Sequence, residues 1–348
     1  MTNRILFPLI WLSAFGIIAF WGTRAQLTRA QGLIGELEGH QGWVYATAIS
    51  PDGKLLASAG GDATVRIWDV GLRKEKFVLK GHADKVRAVA FSPNGRVLAS
   101  GALHDNIKLW DVTTGNERGS LPVPQRESAS VSSIQFTPDG KRIVAAVGHT
   151  IAFGGVLPAE AITWDLATGQ PLCTITGGTL SPEPSIALAT QGGTVAMPTN
   201  RAITLFDLTT GVPRATLGFE GDGQGSAASL AVSPDYKLLA SGGQKWSERN
   251  GKDRRYEVSL WELATGKQIL TLQGHTQHIP SVAFSPDGSL VASGSWDGAV
   301  KLWQVATGTE IATFRGDTGP ILSVAISFDS KMLAAAGQSG KIQLWNLK

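Results

Sequence analysis

The chain repeats itself. Gly274 to Gly308 reads GHTQHIPSVAFSPDGSLVASGSWDGAVKLWQVATG, and every part of it favours strands joined by tight turns. Ile279 to Phe284 is a β-branched and aromatic run, Ser285-Pro-Asp-Gly288 turns, and Leu290 to Gly294 is a second run. Trp296-Asp-Gly298 turns again, Val300 to Trp303 alternates apolar and polar, and Thr307-Gly308 opens a further hairpin. A unit of this size has apolar faces that it cannot bury alone, so copies of itself must cover them.

The copies are present. An aromatic residue followed by a polar one ends the third strand at Trp68-Asp69, Trp110-Asp111, Trp164-Asp165, Phe206-Asp207, Trp261-Glu262, Trp303-Gln304 and Trp345-Asn346. The markers are spaced by 42, 54, 42, 55, 42 and 42 residues, which makes seven units on one period with two insertions. The first turn recurs as Ser50-Pro-Asp-Gly53, Ser92-Pro-Asn-Gly95, Thr137-Pro-Asp-Gly140, Ser233-Pro-Asp-Tyr236, and a decayed Ser327-Phe-Asp-Ser330. At 348 residues, length alone would suggest two domains, but a shared period overrides that estimate.

With its Gly-His pair, gap and terminal Trp-Asp in a unit of about 40 to 45 residues, the chain resembles the WD40 repeat family from about Leu33 to Lys348. The resemblance implies an all-β fold, a seven-bladed β-propeller of four-stranded antiparallel blades around a central channel. The last repeat ends at Lys348 after its third strand, and Gly32 to His40 is similar to the fourth-strand segments Lys76 to His82 and Gln268 to His275. The N-terminal strand is therefore expected to close the last blade and hide two sheet edges. The near-consensus repeats with Thr-Gly hairpins are similar to those of bacterial WD-repeat proteins.

The family also implies a buried hydrogen-bond chain in each blade, joining the third-strand Trp, a second-strand Ser, the His of Gly-His and an Asp. The matching positions are Trp68, Ser58, His40 and Asp62 in blade one, and Trp303, Ser293, His275 and Asp297 in blade six. Blade two offers Trp110, Ser100 and His82, with His104 where Asp is expected and Asp105 one place late. Because these sets recur at fixed offsets and include a Trp, they are read as structural and not as hydrolase triads. Blades three, four, five and seven lack part or all of the pattern, with Ala145, Phe206 and Ala335 at key positions.

Residues 1–31 break the propeller pattern. Ile5 to Gly22 is eighteen residues without a charge, flanked by Arg4, Arg24 and Arg29. That length reaches the lower limit for crossing a bilayer, and Trp11, Phe20 and Trp21 suit an interface. The expected organisation is a signal peptide or transmembrane anchor at 1–22, a linker at 23–31, and the propeller at 32–348. Basic residues on both sides leave orientation open; Thr23-Arg24-Ala25 is a small-x-small cleavage site; a buried amphipathic helix is the third alternative. The propeller is expected to be membrane-associated or periplasmic, with the cytoplasmic membrane face as the alternative. A single cysteine, Cys173, cannot form an internal disulfide and leaves the compartment undecided.

Several chemistries have no footing. The net charge of +3 is dispersed, which gives no case for nucleic-acid binding. The sequence has no Cys/His metal spacing, phosphate-cradling Gly loop or nucleophile elbow, so no metal, cofactor or catalytic residue is expected. His149 and Glu160, in the blade-three insertion, are read as polar loop residues.

Both insertions fall between second and third strands, on the face where partners of the family usually dock. The blade-five insertion, Gln244 to Tyr256, carries five basic and two acidic residues around Trp246. The expected partner-binding residues are Trp43, Tyr45, Lys85, Arg87, Trp246, Arg249, Arg254, Arg255, His278 and Trp296, a basic and aromatic rim suited to an acidic or extended peptide. The resulting expectation is a non-catalytic protein-binding platform or scaffold. The alternatives are a ligand-binding or enzymatic propeller using the channel, and an envelope component that binds itself.

Overall fold

The computed structural model describes residues 32–124, 129–151, 155–178, 184–190, 193–199, 202–219, 223–247 and 254–347. Residues 1–22, expected to be a signal peptide or membrane anchor, and the expected linker 23–31 lie outside the described residues. Among the described residues no helix is long and apolar enough to cross a membrane.

The described strands form seven four-stranded antiparallel sheets. Six are built from consecutive strands, such as Val44–Ile49, Leu55–Gly60, Thr64–Asp69 and Lys74–Lys80 in blade one. The seventh joins Ile321–Ile326, Met332–Gly337 and Ile342–Asn346 to the first strand, Leu33–Leu37. Leu33 lies opposite Trp345 and Leu37 opposite Ile342. The N-terminal strand thus closes the ring and leaves no blade short of a strand.

Second strands are buried along almost their whole length, with Ala57, Ser58 and Ala59 inaccessible in blade one. Alternation is lost because each blade is covered on both faces, and small residues let neighbouring blades approach. The core is accordingly divided into seven apolar clusters, one per seam. Trp68 of blade one packs with Met332 and Leu344 of blade seven, and Trp303 of blade six with Val258 and Leu272 of blade five. Burying a large side chain of this kind contributes roughly 1.5–3 kcal/mol, and the chain does so at every seam.

Polar side chains of the innermost strands complete the seams. The Ser323 hydroxyl accepts from Thr47 N at 2.9 Å, Ser281 from Val324 N at 3.0 Å, and Ser185 from Leu230 N at 3.2 Å. Gln135 donates to Ile186 O at 3.1 Å and accepts from Leu188 N at 2.9 Å. Each bond ties the inner strand of one blade to that of the next, satisfying backbone groups that sheet pairing leaves open.

The lower face carries the first turns. Ser50 donates to Asp52 at 2.6 Å and accepts from Leu55 N at 2.9 Å, and the arrangement recurs at Ser285 and Asp287. The fourth turn position has positive φ, 72° at both Gly53 and Gly288. Tyr236 and Ser330 take the same conformation at 58° and 56°, so the decayed turns keep the geometry despite the side chain.

Candidate protein-docking rim

The hydrogen-bond chains lie beneath the upper rim and fix its loops. In blade one the Trp68 indole donates to Ser58 Oγ at 2.8 Å, and Ser58 lies 2.7 Å from His40 Nε2. His40 Nδ1 is 3.0 Å from Asp62 Oδ1. A carboxylate only accepts, so Nδ1 carries the proton, Nε2 accepts from the hydroxyl, and the hydroxyl accepts from the indole. Blade six repeats the arrangement with Trp303–Ser293 at 2.8 Å, Ser293–His275 at 2.8 Å and His275–Asp297 at 2.9 Å.

Burial lowers the His40 and His82 pKa values, which keeps both rings neutral. Burial alone would raise Asp297, but the His275 hydrogen bond and the Thr276 N–H outweigh it and hold the carboxyl at about 2.

Blade two reaches the same result by a different route. Trp110 and His82 each lie 2.7 Å from the Ser100 hydroxyl, and His82 Nδ1 lies 2.7 Å from Asp105. His104 adopts positive φ, 53°, and its ring lies 3.3 Å from Asp84. The turn is no longer than that of blade one, ten residues from serine to tryptophan in both; its positive φ falls at His104, one place earlier than at Ala63, and an aspartate one place late in sequence still meets the histidine.

The insertions are strand extensions, not loops alone. Blade three lengthens to Arg142–Ile151 and Gly155–Asp165, and blade five to Leu238–Ser247 and Arg254–Glu262. The reading of His149 and Glu160 as polar loop residues is overturned: both stand in strands, 1% and 2% exposed, with His149 Nε2 3.2 Å from Glu160 Oε2. In blade five Lys245 lies 2.8 Å from buried Glu257, which precedes Trp261 by the same four positions as Glu160 precedes Trp164.

Blade five also holds a substitution that the sequence reading missed. Trp261 still donates to Ser241 at 2.9 Å, but Phe219 stands where Gly-His would supply histidine, its ring edge-on to Trp261 at 5.3 Å. Gly218-Phe219 was the available signal.

Four of the expected rim residues converge at the upper mouth of the channel. Tyr45, Arg87, His278 and Trp296 line a cavity of about 460 Å³ to which all seven blades contribute. Trp43 and Tyr45 are stacked at a tilt with centroids 5.8 Å apart, and the Arg87 guanidinium lies 4.7 Å over the Tyr45 ring. On blade six, His278 meets Trp296 edge to face at 4.8 Å. Trp43 and Trp296 remain 44% and 45% exposed although each is braced by a neighbour. Lys85 is exposed beside Arg87, and Arg254 and Arg255 are exposed at the top of blade five. Trp246 pairs with Gln224 and Arg254 in the ladder; Arg249 lies outside the described residues.

The channel wall carries a series of serines. Ser132, Ser185, Ser229, Ser281 and Ser323 all face the cavity. Each is engaged in a seam bond, Ser132 to Pro184 O at 2.5 Å and Ser229 to Ile279 O at 3.0 Å among them.

The family model "WD domain, G-beta repeat" matches residues 31–69, 73–111, 266–304 and 308–346, the repeats around the ring closure and the intact chains of blades one and six. The chain belongs to the WD40 repeat family. Among curated proteins it is 28% identical over 280 residues to Nuclear distribution protein PAC1 of Arthroderma benhamiae, covering 75% of this chain and 58% of that protein. It is 25% identical over 274 residues to Serine-threonine kinase receptor-associated protein of Gallus gallus, covering 77% and 68%. Over 72 residues it is 35% identical to Periodic tryptophan protein 2 homolog of Schizosaccharomyces pombe, covering 21% and 7%. This WD40 chain thus spans little more than half of the first relative's length, and these relatives are eukaryotic.

Proposed function

We propose that this WD40 propeller is a non-catalytic protein-binding platform, held at or exported across a membrane by residues 1–22, with 23–31 as a linker and the propeller from residue 32 outside the cytoplasm. The observation that carries the reading is the convergence of Tyr45, Arg87, His278 and Trp296, from blades one, two and six, on the channel mouth. Aromatic and arginine side chains already braced by neighbours lose little rotamer freedom on docking, which is the main cost that a rigid rim avoids. An extended acidic segment suits that surface, its carboxylates near Arg87 and Lys85 and its apolar side chains against Trp43 and Trp296. The name of the chicken relative, a receptor-associated protein, agrees with a platform role.

The serine-lined cavity favours a second reading, a small ligand in the channel. Engagement of those serines in seam bonds weighs against it.

The test is site-specific photo-crosslinking in the source cells, with the reactive residue at Trp296 on the rim or at Lys237 on the opposite face. Protein adducts at position 296 that disappear with Arg87→Glu support the platform. Equal adducts from both faces, or none, would sink it. A reporter active only outside the cytoplasm, fused after Lys348, tests the export reading by its activity.

A further inference from the structure

The chain enters the propeller at one definable place. Gly32 O accepts from Asn346 N at 2.6 Å, and Leu33 faces Trp345 at the lower end of blade seven's third strand. The apolar stretch 5–22 therefore reaches the disc at its lower, outer edge, on the face opposite the aromatic and basic rim. Nine residues, 23–31, separate the two, a reach of at most about 30 Å.

Large apolar side chains are exposed at that edge: Ile34 shares its outer-strand position with exposed Leu172, Ile269 and Ile311 of blades three, five and six, whereas Leu33, Leu72 and Phe328 are particular to this seam. Leu33 is 47% exposed, Ile34 38%, and Leu72, in the adjoining turn of blade one, 70%. The two blades touch there, since a Cβ on Gly35 would lie 2.7 Å from Arg73 Cδ. Phe328, 68% exposed, occupies the turn position that holds proline in the other turns of this kind, at Pro51, Pro93, Pro138, Pro234 and Pro286. Leu347 N bonds to Lys331 O, linking that turn to the strand end beside Gly32. Singly exposed apolar residues are ordinary; a group on one edge, at the point of tethering, is not. Arg73, Lys74 and Lys54 are exposed around it, and Lys331 is offset by Asp329 at 3.7 Å.

We infer that the lower edge at the seam of blades seven and one, presenting Leu33, Ile34, Leu72 and Phe328, seats on the headgroup boundary of a lipid bilayer. This rests on the reading of residues 5–22 as a membrane anchor. The short linker holds the edge against the surface, the apolar side chains enter the boundary, and the neighbouring cations face anionic headgroups. The disc then stands with its rim turned away from the membrane, open to partners.

The experiment uses the full chain in vesicles of phosphatidylcholine and phosphatidylglycerol. In a Cys173→Ser background, an environment-sensitive fluorophore is placed at Leu72→Cys, Phe328→Cys or, on the rim, Lys85→Cys, with nitroxide quencher in the upper acyl chain. Quenching several-fold stronger at 72 and 328 than at 85, in protein that resists alkaline carbonate, is expected. Leu72→Asp should remove the quenching at 328 while the protein stays in the pellet. Equal weak quenching at all three positions in pelleted protein overturns the seating but spares the anchor. A fluorescence shift at 72 and 328 without lipid quenching assigns the edge to another protein or a second copy and also overturns it. Release by carbonate removes the anchor reading and the seating with it.

Discussion

Blades six and five are neighbours of the same ring, yet they are held differently. Blade six runs indole, hydroxyl, imidazole and carboxylate in one line from Trp303 to Asp297. Blade five keeps only the first link, Trp261 to Ser241, then covers the indole with Phe219 and places Lys245 against Glu257 in its lengthened strands. Both blades pair with complete ladders. The blade therefore comes from ladders and apolar seams, and the polar chain serves to pin the loop that carries Gly-His. Where a blade is lengthened, a polar contact on the extended strands replaces that pin, His149 with Glu160 in blade three and Lys245 with Glu257 in blade five.

The largest contrast should come from removing the hydroxyl. Ser293→Ala strands both the Trp303 indole and the His275 ring and should cost about 4 kcal/mol, against about 2 kcal/mol for Ser241→Ala, where only Trp261 loses its acceptor. Chemical denaturation of the two variants checks this; equal losses would mean that the chain of blade six adds nothing to a single bond. Next, Lys245→Met leaves the Glu257 carboxylate buried without a countercharge and should cost about 3 kcal/mol. A neutral result would show that blade five does not depend on its ion pair.

Acid should separate the blades more gently. His40 and His82 are held neutral by burial, so the unfolded chain takes up protons first as pH falls through about 6.5. Their contribution is complete above that value and is lost toward the lower folded-state pKa values. Asp297, at about 2 when folded, adds a second loss as pH drops from about 4 to 2. Melting temperature measured from pH 8 to pH 5 should fall, and should fall less in a His40→Gln, His82→Gln variant; an unchanged slope would remove these chains from the acid response. The smallest effect has the opposite sign. Ser330→Gly relieves a positive φ in the decayed turn of blade seven and should stabilise by about 0.5–1 kcal/mol in the same denaturation assay.

What the sequence revealed follows the same division. In blades one and six the offset from His to Ser is 18 residues, so each polar chain could be found by counting. Blade count and closure by Gly32 to His40 came from the same periodicity. Counting failed where length changed. In blade five the inner strand grows to Gly223–Val232, the offset slides, and Phe219 passes unnoticed as the stand-in for histidine. His149 and Glu160 were misplaced for a related reason: Gly148 and Pro158 interrupt the alternation that marks a strand, while burial of the pair depends on neighbouring blades that no local pattern reports. The grouping of Tyr45, Arg87, His278 and Trp296 around one mouth likewise exists only once the ring is closed.

Closure by the first strand sets an order of events in time. Leu33–Leu37 is synthesised long before its partner, Ile342–Asn346. At roughly 5–20 residues per second, about 15–60 s pass between them. Throughout that interval the outer strand of blade seven has no partner and the ring stands open at one seam. A pairing across almost the full contour of the chain carries the highest contact order the molecule contains, and it belongs at the end of folding.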